Sequence, residues 1–248
     1  MRKKIGILGY GEIGRAIAKF YGSAGSPQAK IKDLNKDDGL RGIDILHICI
    51  PYSKNFVNIV SKEIKKIKPK LAIIHSTIAP GATKKIIKET KNKMIVHSPI
   101  RGIHPRLYQG IKTFVKYIGA DNKKAGQAAL NHLKKLGIKV KTFYPSLTTE
   151  LGKLFDTTYY ALCIAWHGEM KKICNKEGVD FEKVVTDFNK TYNQGYKKLK
   201  MNHVIRPVLK PPKKFIGGHC LIPNTKILKK YYQSKVFDLI LRYKKDEN

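Results

Sequence analysis

Acidic residues are scarce in this chain: 18 Asp and Glu stand against 50 Lys and Arg in 248 residues, a formal net charge of +32. Arginine is scarce too, supplying seven of the 50 basic residues. Base and phosphate recognition in nucleic acids favours the forked guanidinium. The lysine pairs here, such as Lys65-Lys66, Lys134-Lys135 and Lys229-Lys230, fall in amphipathic helical stretches and read as solvated faces. A nucleic-acid partner is therefore not expected, although so positive a field draws in anionic small molecules. Long apolar runs are missing, and none approaches the roughly 18 residues of a membrane span. After Met1-Arg2-Lys3-Lys4 the chain enters glycines and charges rather than a signal-peptide core, so a cytoplasmic protein is expected. The four cysteines, Cys49, Cys163, Cys174 and Cys220, have no CxxC spacing, which argues against a metal site or a disulfide framework. What remains is 42% hydrophobic and 9% aromatic, which excludes a disordered polycation and suffices for one large domain or two ordinary ones.

Apolar runs and helical spacings alternate up to about Pro145. Ile5–Leu8, Asp44–Ile50, Leu71–Ile74, Met94–Val96, Phe114–Ile118 and Ile138–Phe143 read as strands. Helical patterns lie between them, including Phe56, Val60, Ile64 and Ile67, then Thr83 to Thr90, then Lys123 to Leu136. That alternation predicts an α/β fold, a doubly wound parallel sheet over residues 1–145. Residues 146–248 are predicted mostly α-helical. A helix capped near Ser146 or Thr148 runs about 28 residues to Gly178, a second starts at Asp180, and a last one carries Ile227, Leu228, Val236, Ile240 and Leu241.

Gly9-Tyr10-Gly11-Glu12-Ile13-Gly14 is a G-x-G-x-x-G that follows a strand and opens a helix, and Asp33 comes nineteen residues after Gly14. The glycines suit a tight turn, close approach of a pyrophosphate, and helix–strand packing. Asp33 suits the ribose hydroxyls of NAD and repels the 2′-phosphate of NADP, though Lys36 and Arg41 keep NADP as an alternative. A second cluster is Gly217-Gly218-His219-Cys220. Its glycines let backbone approach a ligand, and basic neighbours favour the Cys220 thiolate as a nucleophile for an aldehyde.

These motifs, with Ser76-Thr77-Ile78-Ala79-Pro80-Gly81, Glu150-Leu151-Gly152-Lys153-Leu154 and the strand end Ile48-Cys49-Ile50-Pro51, resemble the UDP-glucose/GDP-mannose dehydrogenase family in the right order. The resemblance implies NAD-dependent four-electron oxidation of a nucleotide-sugar alcohol through a Cys220 thiohemiacetal and thioester. Lys153 would steady the negative oxygen, Thr77 would lie beside the nicotinamide, and Asn224 would stand at the water-activating position. It implies a cofactor set of Gly9, Gly11, Glu12, Ile13, Gly14, Asp33, Pro51, Ser76 and Thr77. Substrate contacts would come from Arg101, His104, Thr157, Arg206, Gly217 and Gly218. It also implies a homodimer built on the helix that begins near Thr148.

The chain departs from the family pattern at three places. Thr157 replaces Asn four residues after the helical Lys, Asn224 replaces Asp four after the Cys, and Ile100 replaces Glu after Ser98-Pro99. The family's C-terminal nucleotide-sugar-binding domain has no counterpart in these 248 residues, so the resemblance is to a short form. Two alternatives follow. Pro99-Ile100-Arg101-Gly102 with Tyr117-Ile118-Gly119 also resembles the β-hydroxyacid and 6-phosphogluconate dehydrogenases, in which Lys153 would serve a single hydride transfer. The other is an NAD-binding protein whose catalysis has decayed.

Overall fold

A computed structural model describes residues 3–22 and 29–245; Met1 and Arg2 of the basic prefix lie outside the described residues. The chain divides into two compact units, residues 1–153 and 154–248. In the first, eight strands form one sheet: β1 (Ile5–Leu8), β2 (Ala29–Asp33), β3 (Lys36–Asp37), β4 (Ile45–Ile48), β5 (Leu71–Ile74), β6 (Ile95–His97), β7 (Lys116–Ala120) and β8 (Val140–Phe143). Their order is β3-β2-β1-β4-β5-β6-β7-β8. Helices α1 (Glu12–Ala18), α2 (Phe56–Ile67), α3 (Ala82–Thr90), α4 (Leu107–Thr113) and α5 (Lys123–Lys135) connect them. Side chains alternate along each strand, so Ile7, Ile45, Ile73 and Val96 join one core while Leu8, Leu46, Ile74 and Ile95 join the other.

β2, β1, β4, β5 and β6 run parallel, with the switch of winding direction between β1 and β4. The sheet is not wholly parallel, however. β7 pairs antiparallel with β6, because the Ser98–Val115 connection turns back at the same edge instead of crossing the sheet. β3 also returns antiparallel on β2.

α6 (Leu147–Lys176) starts against β7, where Gly119 makes room: a Cβ there would sit 2.1 Å from Thr149 Oγ1. In the second unit, Asp180 is followed by a π-wound turn, Glu182–Asp187, that continues into α7 (Phe188–Lys198). The single final helix expected from the sequence is two, α8 (Leu221–Tyr231) and α9 (Lys235–Leu241). Ser234 caps the second by accepting the Val236 N–H, which ends any continuous winding. Ala161, Ala165, Ile216, Ile240 and Tyr243 form one buried cluster of this unit, and Cys174, Phe181 and Val185 form another. Phe155, Tyr159, Trp166 and Ile173 of α6 stay exposed. Among the described residues no helix is long and apolar enough to cross a membrane.

Candidate functional site

The three glycines of the β1–α1 turn do three different jobs. Gly9 has φ +90°, and a Cβ on it would lie 2.8 Å from the Cys49 carbonyl carbon and the Ile50 nitrogen at the end of β4. Gly14 packs so closely that a Cβ would stand 2.0 Å from the Gly9 oxygen. Gly11 has nothing within 4 Å of that position, so the space a side chain would take is open for a ligand. This is the geometry a dinucleotide pyrophosphate requires, at the switch point where open α/β sheets bind ligands. Asp33 ends β2 and accepts the Tyr10 N–H at 3.0 Å and the Leu34 N–H at 2.9 Å, which fixes its carboxylate beside the glycine turn. The residues present therefore fit NAD. Glu12, the first residue of α1, pairs with His104 from the β6–α4 loop. Ile13 packs on the core and Pro51 is exposed after β4.

The Ser76–Thr83 turn after β5 is tied down at both ends. Ser76 Oγ donates to the Ile50 carbonyl at 2.5 Å, and the Ser76 carbonyl lies 3.0 Å from His97 Nε2. His97 Nδ1 lies 2.8 Å from Thr149 Oγ1 on α6. At the other end, Glu150 accepts the Gly81 N–H at 2.6 Å and the Thr83 N–H at 2.9 Å. Burial pushes Glu150 up, against the pull of these donors. Lys153 lies one helical turn further along α6, half-buried. Burial, with the charges of Lys116 and Lys153 in support, pushes His97 down to about 3. Lys116 is itself buried, donates to the Ser98 and Pro99 carbonyls at 2.6 and 3.2 Å, and is pushed down to about 7, mainly by burial. Sequence reasoning did not find His97 or the tying role of Glu150. The spacing Glu150-x-x-Lys153 was the available signal for the latter.

A second buried network passed unnoticed in the sequence. His75 Nδ1 meets the Ser98 carbonyl at 3.0 Å, His75 Nε2 meets His47 Nδ1 at 2.8 Å, and Tyr21 Oη bridges His47 Nε2 and His132 Nε2 at 2.6 and 2.7 Å. A carbonyl can only accept, so with neutral rings every proton is assigned: His132 donates to Tyr21, Tyr21 to His47, His47 to His75, and His75 to Ser98.

In the second unit, Asn224 Nδ2 donates to Thr157 Oγ1 at 3.1 Å, and Thr157 donates to the Leu154 carbonyl at 3.0 Å. The Asn224 N–H donates to the Cys220 carbonyl at 3.0 Å, so Thr157, Asn224 and Cys220 are brought together at the N-terminal end of α8. Gly218 has φ +89°, and both Gly217 and Gly218 leave open space where a Cβ would be. The two arginines lie on aromatic rings. Arg101 sits 5.1 Å from the Tyr117 ring and 5.7 Å from the Phe114 ring, and Arg206 sits 4.6 Å from Tyr192 and 5.3 Å from Tyr196. Among the described residues no cluster of His, Cys, Asp or Glu is arranged to hold a metal.

No family model matches the chain. UDP-N-acetyl-D-mannosamine dehydrogenase of Methanococcus maripaludis is 28% identical over 206 residues, covering 77% of this chain and 45% of the relative. The chain thus spans just under half the length of the curated relatives it matches. The solved UDP-D-ManNAc dehydrogenase of Pyrococcus horikoshii superposes with a TM-score of 0.79 at 18% identity, over 97% of this chain and 68% of that one. The 3-hydroxyisobutyrate dehydrogenase of Mycobacterium tuberculosis gives 0.71 at 13% identity, over 97% and 91%. At such identities the superpositions speak to fold alone. The chain is similar to these UDP-N-acetyl-D-mannosamine dehydrogenases, and it shares the fold of the solved UDP-glucose and GDP-mannose dehydrogenases. Within that family pattern, the positions expected to hold Asn and Asp are here Thr157 and Asn224, and the two are bonded to each other without a charge.

Proposed function

We propose that the protein is an NAD-dependent oxidoreductase acting on the CH–OH group of an anionic substrate, a nucleotide sugar of the kind named for its relatives. The observation that carries this reading is the glycine turn with open space at Gly11, held beside Asp33. NAD held by the Gly9–Gly14 turn and Asp33 would supply the hydride acceptor for the alcohol carbon. Lys153 accepts the hydroxyl proton or steadies the oxygen as charge develops. Thr77 orients the reacting group, and Arg101, His104, Arg206, Thr157, Gly217 and Gly218 form the substrate contacts of the proposal. Cys220 then captures the aldehyde: its thiolate forms the C–S bond as the carbonyl oxygen takes a proton. After exchange of NADH for a second NAD+, the thiohemiacetal would lose its hydride to that NAD+, and water would hydrolyse the resulting thioester to the acid and return the Cys220 thiol, completing a four-electron route. The exposed Phe155, Tyr159, Trp166 and Ile173 recur at spacings of four and seven, which supports a homodimer through α6.

A second reading is favoured by the uncharged Asn224–Thr157 pair, which offers no carboxylate to activate water. It is a single hydride transfer from a hydroxyacid or sugar alcohol, with Lys153 as the acid–base group and Cys220 as a bystander. NADH formation on a panel of UDP-sugars and β-hydroxyacids tests both. Two NADH per substrate with loss in Cys220→Ala supports the first reading. One NADH, with loss in Lys153→Ala only, supports the second. A panel without turnover leaves an NAD-binding protein whose catalysis has decayed.

A further inference from the structure

We propose that His97 and Thr149 are positioning residues that hold Lys153 in register with the Ser76–Thr77 turn. The inference rests on the dehydrogenase reading, with Lys153 as its acid–base group. His97 is fully buried, and both its ring nitrogens are engaged. The Ser76 carbonyl only accepts, so Nε2 carries the ring proton. In the neutral ring Nδ1 is then an acceptor, and it takes the Thr149 hydroxyl proton. Thr149 Oγ1 also lies 3.0 Å from the Ser146 carbonyl, but its single proton is committed to the imidazole.

The direction of every bond in the tie is thereby fixed. It runs from α6 through the imidazole to the turn by two direct contacts, at 2.8 and 3.0 Å. The adjacent Glu150 makes a second tie to the far end of the same turn, through the Gly81 and Thr83 N–H groups. Lys153 stands four residues after Thr149 and three after Glu150, on the same helical face. Two consecutive residues therefore set the helix that carries Lys153 against the segment that carries Thr77. The charged and titratable groups acting on His97 are Lys116 and Lys153, and both disfavour its protonation. The tie therefore stays closed at neutral pH.

The test compares Thr149→Val, Thr149→Ser and His97→Gln in steady-state turnover with NAD+ and UDP-N-acetyl-D-mannosamine or whichever panel substrate is turned over. Valine keeps the volume of threonine and removes only the hydroxyl, so it stays informative if the histidine variant fails to fold. Thr149→Val should lower kcat by about 10- to 100-fold, the scale of a misplaced catalytic group, with KM for NAD+ changed less than about threefold. Thr149→Ser should restore kcat. A merely structural role would lower the melting temperature in Thr149→Val and leave kcat intact, which would overturn the inference alone. A wild-type protein that turns over nothing overturns the dehydrogenase reading, and this inference with it.

Discussion

Asn224 and Thr157 form a direct hydrogen bond at 3.1 Å, so two departures from the family pattern are one bonded, uncharged pair next to Cys220. Asn224→Asp would place a carboxylate there. On the Cys220 route, the wild type should release a burst of NADH followed by a slow phase limited by hydrolysis. The Asp variant should accelerate that slow phase by about 100-fold, the lower end of a general base's contribution. Stopped-flow NADH absorbance checks this; equal slow phases would remove Asn224 from the mechanism.

Gly11 and Gly14 should fail differently. Gly14→Ala drives a methyl into the Gly9 carbonyl and should cost about 1–3 kcal/mol of stability or more, as overpacking does. Gly11→Ala places its methyl where no protein atom lies within 4 Å, so its melting temperature should hold. It should still weaken NAD+ by at least about tenfold, some 1.4 kcal/mol. Thermal melts paired with calorimetric titration separate the two.

His104 Nδ1 and the Glu12 carboxylate are hydrogen-bonded beside the glycine turn of the proposed cofactor site. His104→Ala leaves the carboxylate facing the incoming pyrophosphate and should weaken NAD+ severalfold. Adding Glu12→Gln should restore the affinity. Affinities that fall additively in the double variant would rule out coupling between the pair.

Buried neutral histidines make the fold acid-sensitive. Burial pushes His132 down to about 4 and His97 down to about 3, from ordinary values near 6.5, and holds His47 and His75 well below that ordinary value as well. The unfolded chain binds more protons between those limits, so their contribution is complete above about pH 6.5. It drains as pH falls toward 4 and 3, by about 1.4 kcal/mol per pH unit for each histidine. Urea denaturation from about pH 7.5 to about pH 5 measures the slope. His132→Gln should make it shallower.

Trp166→Glu should dissociate the proposed α6 dimer without unfolding the chain, because Trp166 is half exposed in the single subunit. Sedimentation velocity reads the outcome. A monomeric wild type would end the dimer reading.

The strands of the sheet and the glycine turn were legible in the sequence because each is local: a short apolar run, or a motif lodged between a strand and a helix. β3 was not, since two residues, Lys36 and Asp37, carry no apolar pattern. α4 shows only Leu107 and Ile111 on its buried face besides Gly110, too few to announce a helix. The reversal at β7 is set by where the Ser98–Val115 connection returns, which no local pattern encodes. The break between α8 and α9 rests on Ser234, a single capping residue inside a continuous apolar spacing. Among the candidate residues, Cys220, Lys153 and the glycines announced themselves by motif. His97 did not, because its meaning comes from Ser76 and Thr149, which only the fold brings to it.

The Tyr21–histidine network has a spectroscopic consequence. Its N–H and O–H protons all point one way, from a part-buried Tyr21 toward fully buried His47 and His75. They should resonate far downfield and trade places with deuterium only when the whole unit opens. The molecule thus contains its own clock for global unfolding, readable from a handful of imidazole signals without any label.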